Sequence, residues 1–256
     1  MNNKLYIYGC SHSAGNLLGY NHSLDSSLYE LANGIRFVET DYTKWLGSIG
    51  VPFFINLSKE LNLEWVLRAQ GGNSNQQQFK KLLNDLHLFN KDDTIIFQFT
   101  HFIRFEVPIK NGEYWISDGW QKGGSKVFSD PKYQNFYLTH IDFEIPFIIE
   151  IIKQILSLIN YIRKKIGARV YIWTIDEISE EINKNTKLLD DPYLINFEID
   201  NQRFHYLSGV TNSVDRNETL IIKHETKGLV DDMHFGQLGH DFMYKNILNF
   251  IKKVVN

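Results

Sequence analysis

Cysteine is nearly absent: Cys10 stands alone in 256 residues, with five prolines. One thiol excludes an internal disulfide and suits a reducing compartment. There is no Cys-x-x-Cys pair and no His-x-x-x-His spacing, so no metal site is expected. No Lys/Arg block is long enough to follow a phosphate backbone, and the formal charge is only −3, which leaves nucleic-acid binding without support. Uninterrupted apolar runs are also missing. The longest, 145–162, is broken by Glu150, Lys153, Gln154 and Asn160, and reads as a buried helix rather than a membrane span. Residues 1–9 are too short and polar for a signal-peptide core, so a cytoplasmic location is the expectation. Repeats and low-complexity tracts are absent as well.

What remains is an ordinary soluble composition, 43% hydrophobic and 22% charged, with a high aromatic share of 14%. The length suits a single α/β domain across 1–256 with loop insertions. Lys4 to Tyr8 is a bulky run ending at Gly9 and reads as a first strand. Trp45 to Leu61 has helical character, with a break expected near Val51 beside Pro52. Glu64 to Ala69 reads as a second strand, closing in Gln70-Gly71-Gly72-Asn73-Ser74-Asn75. Ser74 is a good N-cap for a helix carrying Phe79, Leu82, Leu83, Leu86 and Phe89 at helical spacing.

Thr94 to Thr100 is a third strand and Arg169 to Ile175 a fourth, with a short fifth expected at Thr219 to Ile222. Between the third and fourth strands runs a long helix, Ile145 to Ile166, stopped by Gly167. Gly236 to Val255 closes the chain as an amphipathic helix. Two stretches, about 101–140 and 176–215, read as insertions. The first lacks a regular period but is rich in aromatics, which suits either a substrate cap or a satellite core under a loop. Strands alternating with helices predict a mostly parallel sheet covered on both faces. In such sheets ligands gather at the carboxyl ends of the strands, where Ser11, Gly72 and Thr100 would lie.

Two patterns carry chemistry. Ser11 follows the first strand in Gly9-Cys10-Ser11-His12-Ser13-Ala14-Gly15, a small-residue turn whose backbone N–H groups suit a developing oxyanion. Near the other end, Asp231-Asp232-Met233-His234 offers a base for Ser11 and, three residues before it, an aspartate to orient the imidazole. Spacing alone does not choose between Asp231 and Asp232. Each pattern also has an ordinary structural explanation, since serines form turns and Asp-x-x-His pairs cap helices. Their joint placement, with the Gly71-Gly72-Asn73 turn between, favours the catalytic reading. Cys10 reads as a small buried apolar residue, because strand neighbours face opposite ways and would not share a site. His12 is a substrate contact or an exposed turn residue, and His240 packs on the final helix. Arg104 and Glu106 could bind a substrate carboxylate or sugar hydroxyl, or form a structural ion pair.

These blocks resemble the SGNH (GDSL-like) hydrolase family. Its first block, Gly-Asp-Ser after strand one, is matched by Gly9-Cys10-Ser11. Its oxyanion-hole glycine after strand two looks like Gly72, and its final Asp-x-x-His is matched by Asp231 and His234. The resemblance implies a three-layer, flavodoxin-like α/β/α fold, a Ser11–His234–Asp231 triad, no metal or cofactor, and ester or acyl-ester chemistry. The oxyanion donors it implies are the Ser11 and Gly72 backbone N–H groups. Two positions depart from the pattern: Cys10 replaces the aspartate, and the third-block asparagine is missing from 98–106. Thr100 or His101 is left to donate in its place, or Asn73 or Asn75 to reach in. The expected substrate is a small-molecule or glycan ester, with Asn73, Asn75, His12 and Arg104 as candidate contacts. Hydrolysis of a carbohydrate-linked acyl group is favoured; O-acyl transfer by the same triad, or a degenerate binding protein on this fold, are the alternatives.

Overall fold

The computed structural model describes residues 3–10, 13, 51–69, 73–102, 104–108, 114–118, 145–199, 202–204 and 237–255. Strands β1 (Lys4–Tyr8), β2 (Glu64–Leu67) and β3 (Thr94–Phe99) and the later strand Arg169–Thr174 form one four-stranded sheet. Helix α1 (Phe53–Leu61) precedes β2, and α2 (Asn75–Asn84) links β2 to β3. A hairpin of β4 (Arg104–Pro108) and β5 (Tyr114–Asp118) follows β3. Helix α3 (Ile145–Tyr161) then leads into the fourth sheet strand, named β6 in chain order. The chain continues through α4 (Glu180–Thr186), a short hairpin of β7 (Phe197–Ile199) and β8 (Gln202–Phe204), and α5 (Gln237–Val255).

All pairings in the main sheet are parallel, in the order β2-β1-β3-β6. Parallel sheets need both faces covered, and their strands read as continuous apolar runs. Side-chain alternation divides this core in two. Leu5, Ile7, Ile96, Tyr171 and Trp173 pack with Phe53, Phe54 and Leu57 of α1 and Met243, Ile247 and Ile251 of α5. Tyr6, Tyr8, Ile95, Phe97, Val170 and Ile172 pack on the other side with Leu82 of α2 and Ile152, Ile155 and Ile159 of α3. The protein is therefore α/β with three layers.

The long apolar helix shows why composition alone misleads. Ile145–Ile166 has the length and hydropathy to cross a membrane. In the structure Ile149, Ile152, Ile155, Leu156 and Ile159 are buried in the core beneath it. Glu150, Lys153, Gln154, Ser157 and Asn160 occupy the exposed face. Its last turn widens into a π-helical segment at Ile162–Ile166. Gly167 then ends it at φ 84°, a left-handed conformation in which its N–H donates to Ile162 O.

Two elements differ from the expectation drawn from periodicity. The stretch after Thr100 holds the β4–β5 hairpin, with Arg104 opposite Asp118 and Pro108 opposite Tyr114. Alternation there is masked because aromatic and charged residues share the strands; the residues between them contain Asn111-Gly112, a hairpin-turn signal. Leu83, placed on the apolar repeat of α2, is 47% exposed, so that helix buries a narrower stripe. The expected fifth strand at Thr219–Ile222 and the segment 16–50 lie outside the described residues.

Ile155 is fully buried between α3 and the sheet. Ile155→Ala should lower unfolding stability by about 2–5 kcal/mol, the range for a core cavity that relaxes only partly. Urea denaturation with an unchanged slope is the check.

Candidate functional site

In the order β2-β1-β3-β6 the direction of chain progression reverses between β1 and β3. At such a switch point the two connections leave on opposite faces and open a crevice at the strands' carboxyl ends. Gly9, Cys10 and Ser13 stand at the end of β1, and Gln98, Thr100 and His101 at the end of β3.

The Gln98 side chain is fully buried. Its Oε1 accepts from the Cys10 backbone N–H at 3.1 Å and from the Ser13 hydroxyl at 2.5 Å, and its Nε2 donates to Cys10 Sγ at 3.2 Å. One amide thus holds residues on both sides of the Ser11-His12 dipeptide. Gly9 makes room for it: a Cβ there would collide with Gln98 Oε1 and with the Ser13 side chain. Cys10 itself is buried in the core on the α1–α5 side.

The neighbouring amides bind the polypeptide. Asn73, 1% exposed, donates through Nδ2 to Gly9 O at 3.0 Å. Asn75 pairs with Thr100 in both directions: Thr100 N–H donates to Oδ1 at 2.9 Å and Nδ2 donates to Thr100 O at 3.2 Å. Ser74 caps α2 by accepting the Gln77 N–H. Arg104 Nη1 donates to Thr100 Oγ1 at 3.2 Å. The structure therefore gathers Asn73, Asn75, Thr100 and Arg104 at one rim. Ser11, His12, Gly72, Asp231 and His234 lie outside the described residues.

Behind Asn73 lies a charged cluster. Lys81 Nζ donates to Asn73 Oδ1 at 3.5 Å and to Arg68 O at 3.2 Å. Arg68 pairs with Asp85 at 2.8 Å, and the Tyr8 hydroxyl donates to the same carboxylate at 2.6 Å. Burial, then the Asp85 hydrogen bond and charge, push the Tyr8 phenol far up. Burial and the Arg68 charge bring Lys81 down to about 8, against the opposing pull of Asp85.

Sequence reasoning missed Gln98 and Asp176. A lone amide inside Thr94-Ile95-Ile96-Phe97-Gln98-Phe99, at the carboxyl end of a fully buried strand, was the available signal for the first. Asp176 accepts His101 Nδ1–H at 2.7 Å through Oδ1 and the Phe102 backbone N–H at 2.7 Å through Oδ2. A carboxylate only accepts, so the imidazole proton sits on Nδ1. His240, on α5, does more than pack on its own helix: its ring stacks on Phe53 and its Nδ1 accepts the Phe53 N–H at 3.4 Å.

No family model and no curated protein matches the chain. Among solved structures, phospholipase A1 from Streptomyces albidoflavus NA297 aligns over 99% of both chains, with 11% identity and a TM-score of 0.40. A likeness of that size carries no argument about function, which rests on the chain's own geometry.

Two outcomes follow from this network. Gln98→Leu should cost about 1–3 kcal/mol, because the Cys10 N–H and Ser13 hydroxyl lose their acceptor in a dry site; chemical denaturation measures it. For Lys81 the folded protein releases its proton near 8 while the unfolded chain holds it to about 10.5. The unfolded state binds more protons in that window, so this group makes stability rise as pH climbs from 8 toward 10.5. Lys81→Met should lack that rise, which urea midpoints of both proteins at pH 7.5 and 9.5 would reveal.

Proposed function

We propose that this chain is a serine esterase, acting on a small-molecule or glycan ester without metal or cofactor, in the cytoplasm. Ser11 attacks the acyl carbonyl, His234 takes its proton and returns it to the leaving alcohol, and Asp231 orients the imidazole. The Ser11 and Gly72 N–H groups hold the oxyanion, with Thr100 as the candidate third donor. A carbohydrate-linked acyl group is the favoured substrate, and a sugar hydroxyl in place of water as acceptor would make the same machinery an O-acyltransferase.

The observation that supports this reading most is the grip of Gln98 on Cys10 and Ser13. A nucleophile must be held rigidly, since misplacement by about 1 Å can cost on the order of 100-fold in rate. A buried amide fixing the residues that bracket Ser11-His12, at the end of the first strand and at the switch point, meets that demand. A buried Gln also costs free energy to desolvate, and an apolar residue would suit strand β3 better if the turn only had to connect elements.

One observation favours the degenerate-binder reading. The Thr100 backbone N–H is already donated to Asn75, which leaves the Thr100 hydroxyl or His101 at the end of β3 to replace the missing third-block asparagine. One lost oxyanion donor costs about 3 kcal/mol of transition-state stabilisation, which slows an enzyme by about two orders of magnitude without abolishing it.

Intact mass after exposure to a fluorophosphonate discriminates the two. The esterase reading expects one adduct on the wild type and none on Ser11→Ala. A folded wild type that takes no adduct would leave a binding protein as the better reading.

A further inference from the structure

We propose that His101, oriented by Asp176, is a second proton-transfer residue of this site and takes the proton of the acyl acceptor. This rests on the esterase reading above. His101 and Asp176 each follow a sheet strand by two residues, and the ends of those strands, Phe99 and Thr174, are in register. The dyad is therefore built across neighbouring strands at the carboxyl rim, beside Thr100, where ligands of such sheets gather.

Its geometry is that of an oriented base. Asp176 Oδ1 accepts Nδ1–H of His101, and Oδ2 is held by the Phe102 N–H. The Thr174 hydroxyl donates to the Asp176 carbonyl at 2.9 Å, fixing the backbone beneath the carboxylate. With the proton on Nδ1, Nε2 carries the lone pair that can take a proton, and the carboxylate holds the ring in that orientation. The two side chains are 35% and 28% exposed, so the dyad borders solvent. A side-chain contact this exposed contributes little to stability, about 0–1 kcal/mol. A stability role therefore accounts poorly for a carboxylate held at both of its oxygens.

The division of labour follows from position. Asp231 and His234 are the pair assigned to Ser11. The His101–Asp176 dyad spans β3 and β6, on the side of β3 away from β1, and serves an acceptor approaching from there. In that step the acceptor oxygen of water or a sugar hydroxyl bonds to the acyl carbon as its proton passes to His101 Nε2. The acyl–Oγ bond of Ser11 breaks, and the proton returns through solvent to the departing Oγ.

The test uses the full-length chain with p-nitrophenyl acetate and a fluorophosphonate, on wild type, His101→Gln and His101→Ala. The expected result is unchanged fluorophosphonate labelling, at least a roughly 100-fold fall in steady-state turnover, and an acetyl adduct accumulating on Ser11 by intact mass. Added imidazole should restore turnover to His101→Ala, which a merely structural histidine would not allow. Unchanged turnover in either folded variant overturns the proposal. So does loss of labelling in a folded variant, which would make His101 the base of Ser11 instead. Absence of any adduct on the wild type removes the esterase reading and this role with it, and differs visibly from the other two failures.

Discussion

The carboxamide of Gln98 is the contact on which the β1 end of this rim depends. It is a neutral polar group with no solvent exposure, in contact with Cys10 of the core on the α1–α5 side of the sheet. Removing it from water is offset only because its oxygen takes a backbone N–H and a hydroxyl, while its nitrogen reaches the thiol. The turn after β1 is thereby tied to the neighbouring strand β3. Gly9 is part of the same constraint, since any Cβ there would occupy the space the amide needs. Asn73 repeats the arrangement one step out by donating to the Gly9 carbonyl. Glycine, two amides and a serine thus define one rigid corner.

This corner explains how side chains that look like substrate contacts act on the polypeptide. Asn75 engages both backbone groups of Thr100, so the end of β3 is locked to the first turn of α2. Asn73 stands between the Gly9 carbonyl and the Lys81 ammonium, and through Lys81 the turn is joined to Arg68, Asp85 and Tyr8. A site held this way is stiff, which suits chemistry that needs atoms placed to within fractions of an ångström.

Much of this fold was legible in the sequence because a parallel sheet demands apolar runs. Lys4–Tyr8 was read to the residue, and the third and fourth strands to within one, since both of their faces are buried. The Ser74 cap and the Gly167 stop were equally plain, each resting on a local backbone requirement. The β4–β5 hairpin was not legible from periodicity. A satellite hairpin outside the main sheet need not alternate cleanly, and only its Asn111-Gly112 turn signalled it. At the candidate site, local motifs pointed to Ser11, Asp231 and His234 but could not reveal what Gln98 and Asp176 hold. Those two act across 85 and 75 positions of chain, on Ser13 and His101, and no spacing rule links residues that only the sheet register brings together.

The two ends of the sheet make different use of a buried or half-buried acid. At the amino end Asp93 is fully buried, and its carboxylate takes the Lys4 N–H and the Asn90 N–H, each at 2.8 Å. Both oxygens serve backbone, and the group staples β1 to the start of β3. At the carboxyl end Asp176 gives one oxygen to backbone and the other to an imidazole whose far nitrogen points away from that bond. A purely structural acid would be expected to follow the first pattern, since backbone donors are rigid and cost no side-chain entropy to order. Placing an imidazole in that position instead adds an ordering cost and leaves its second nitrogen outside the carboxylate contact. The asymmetry is consistent with the proposed chemistry at the end where Gln98 holds Cys10 and Ser13, and leaves the opposite end to hold the strands in register.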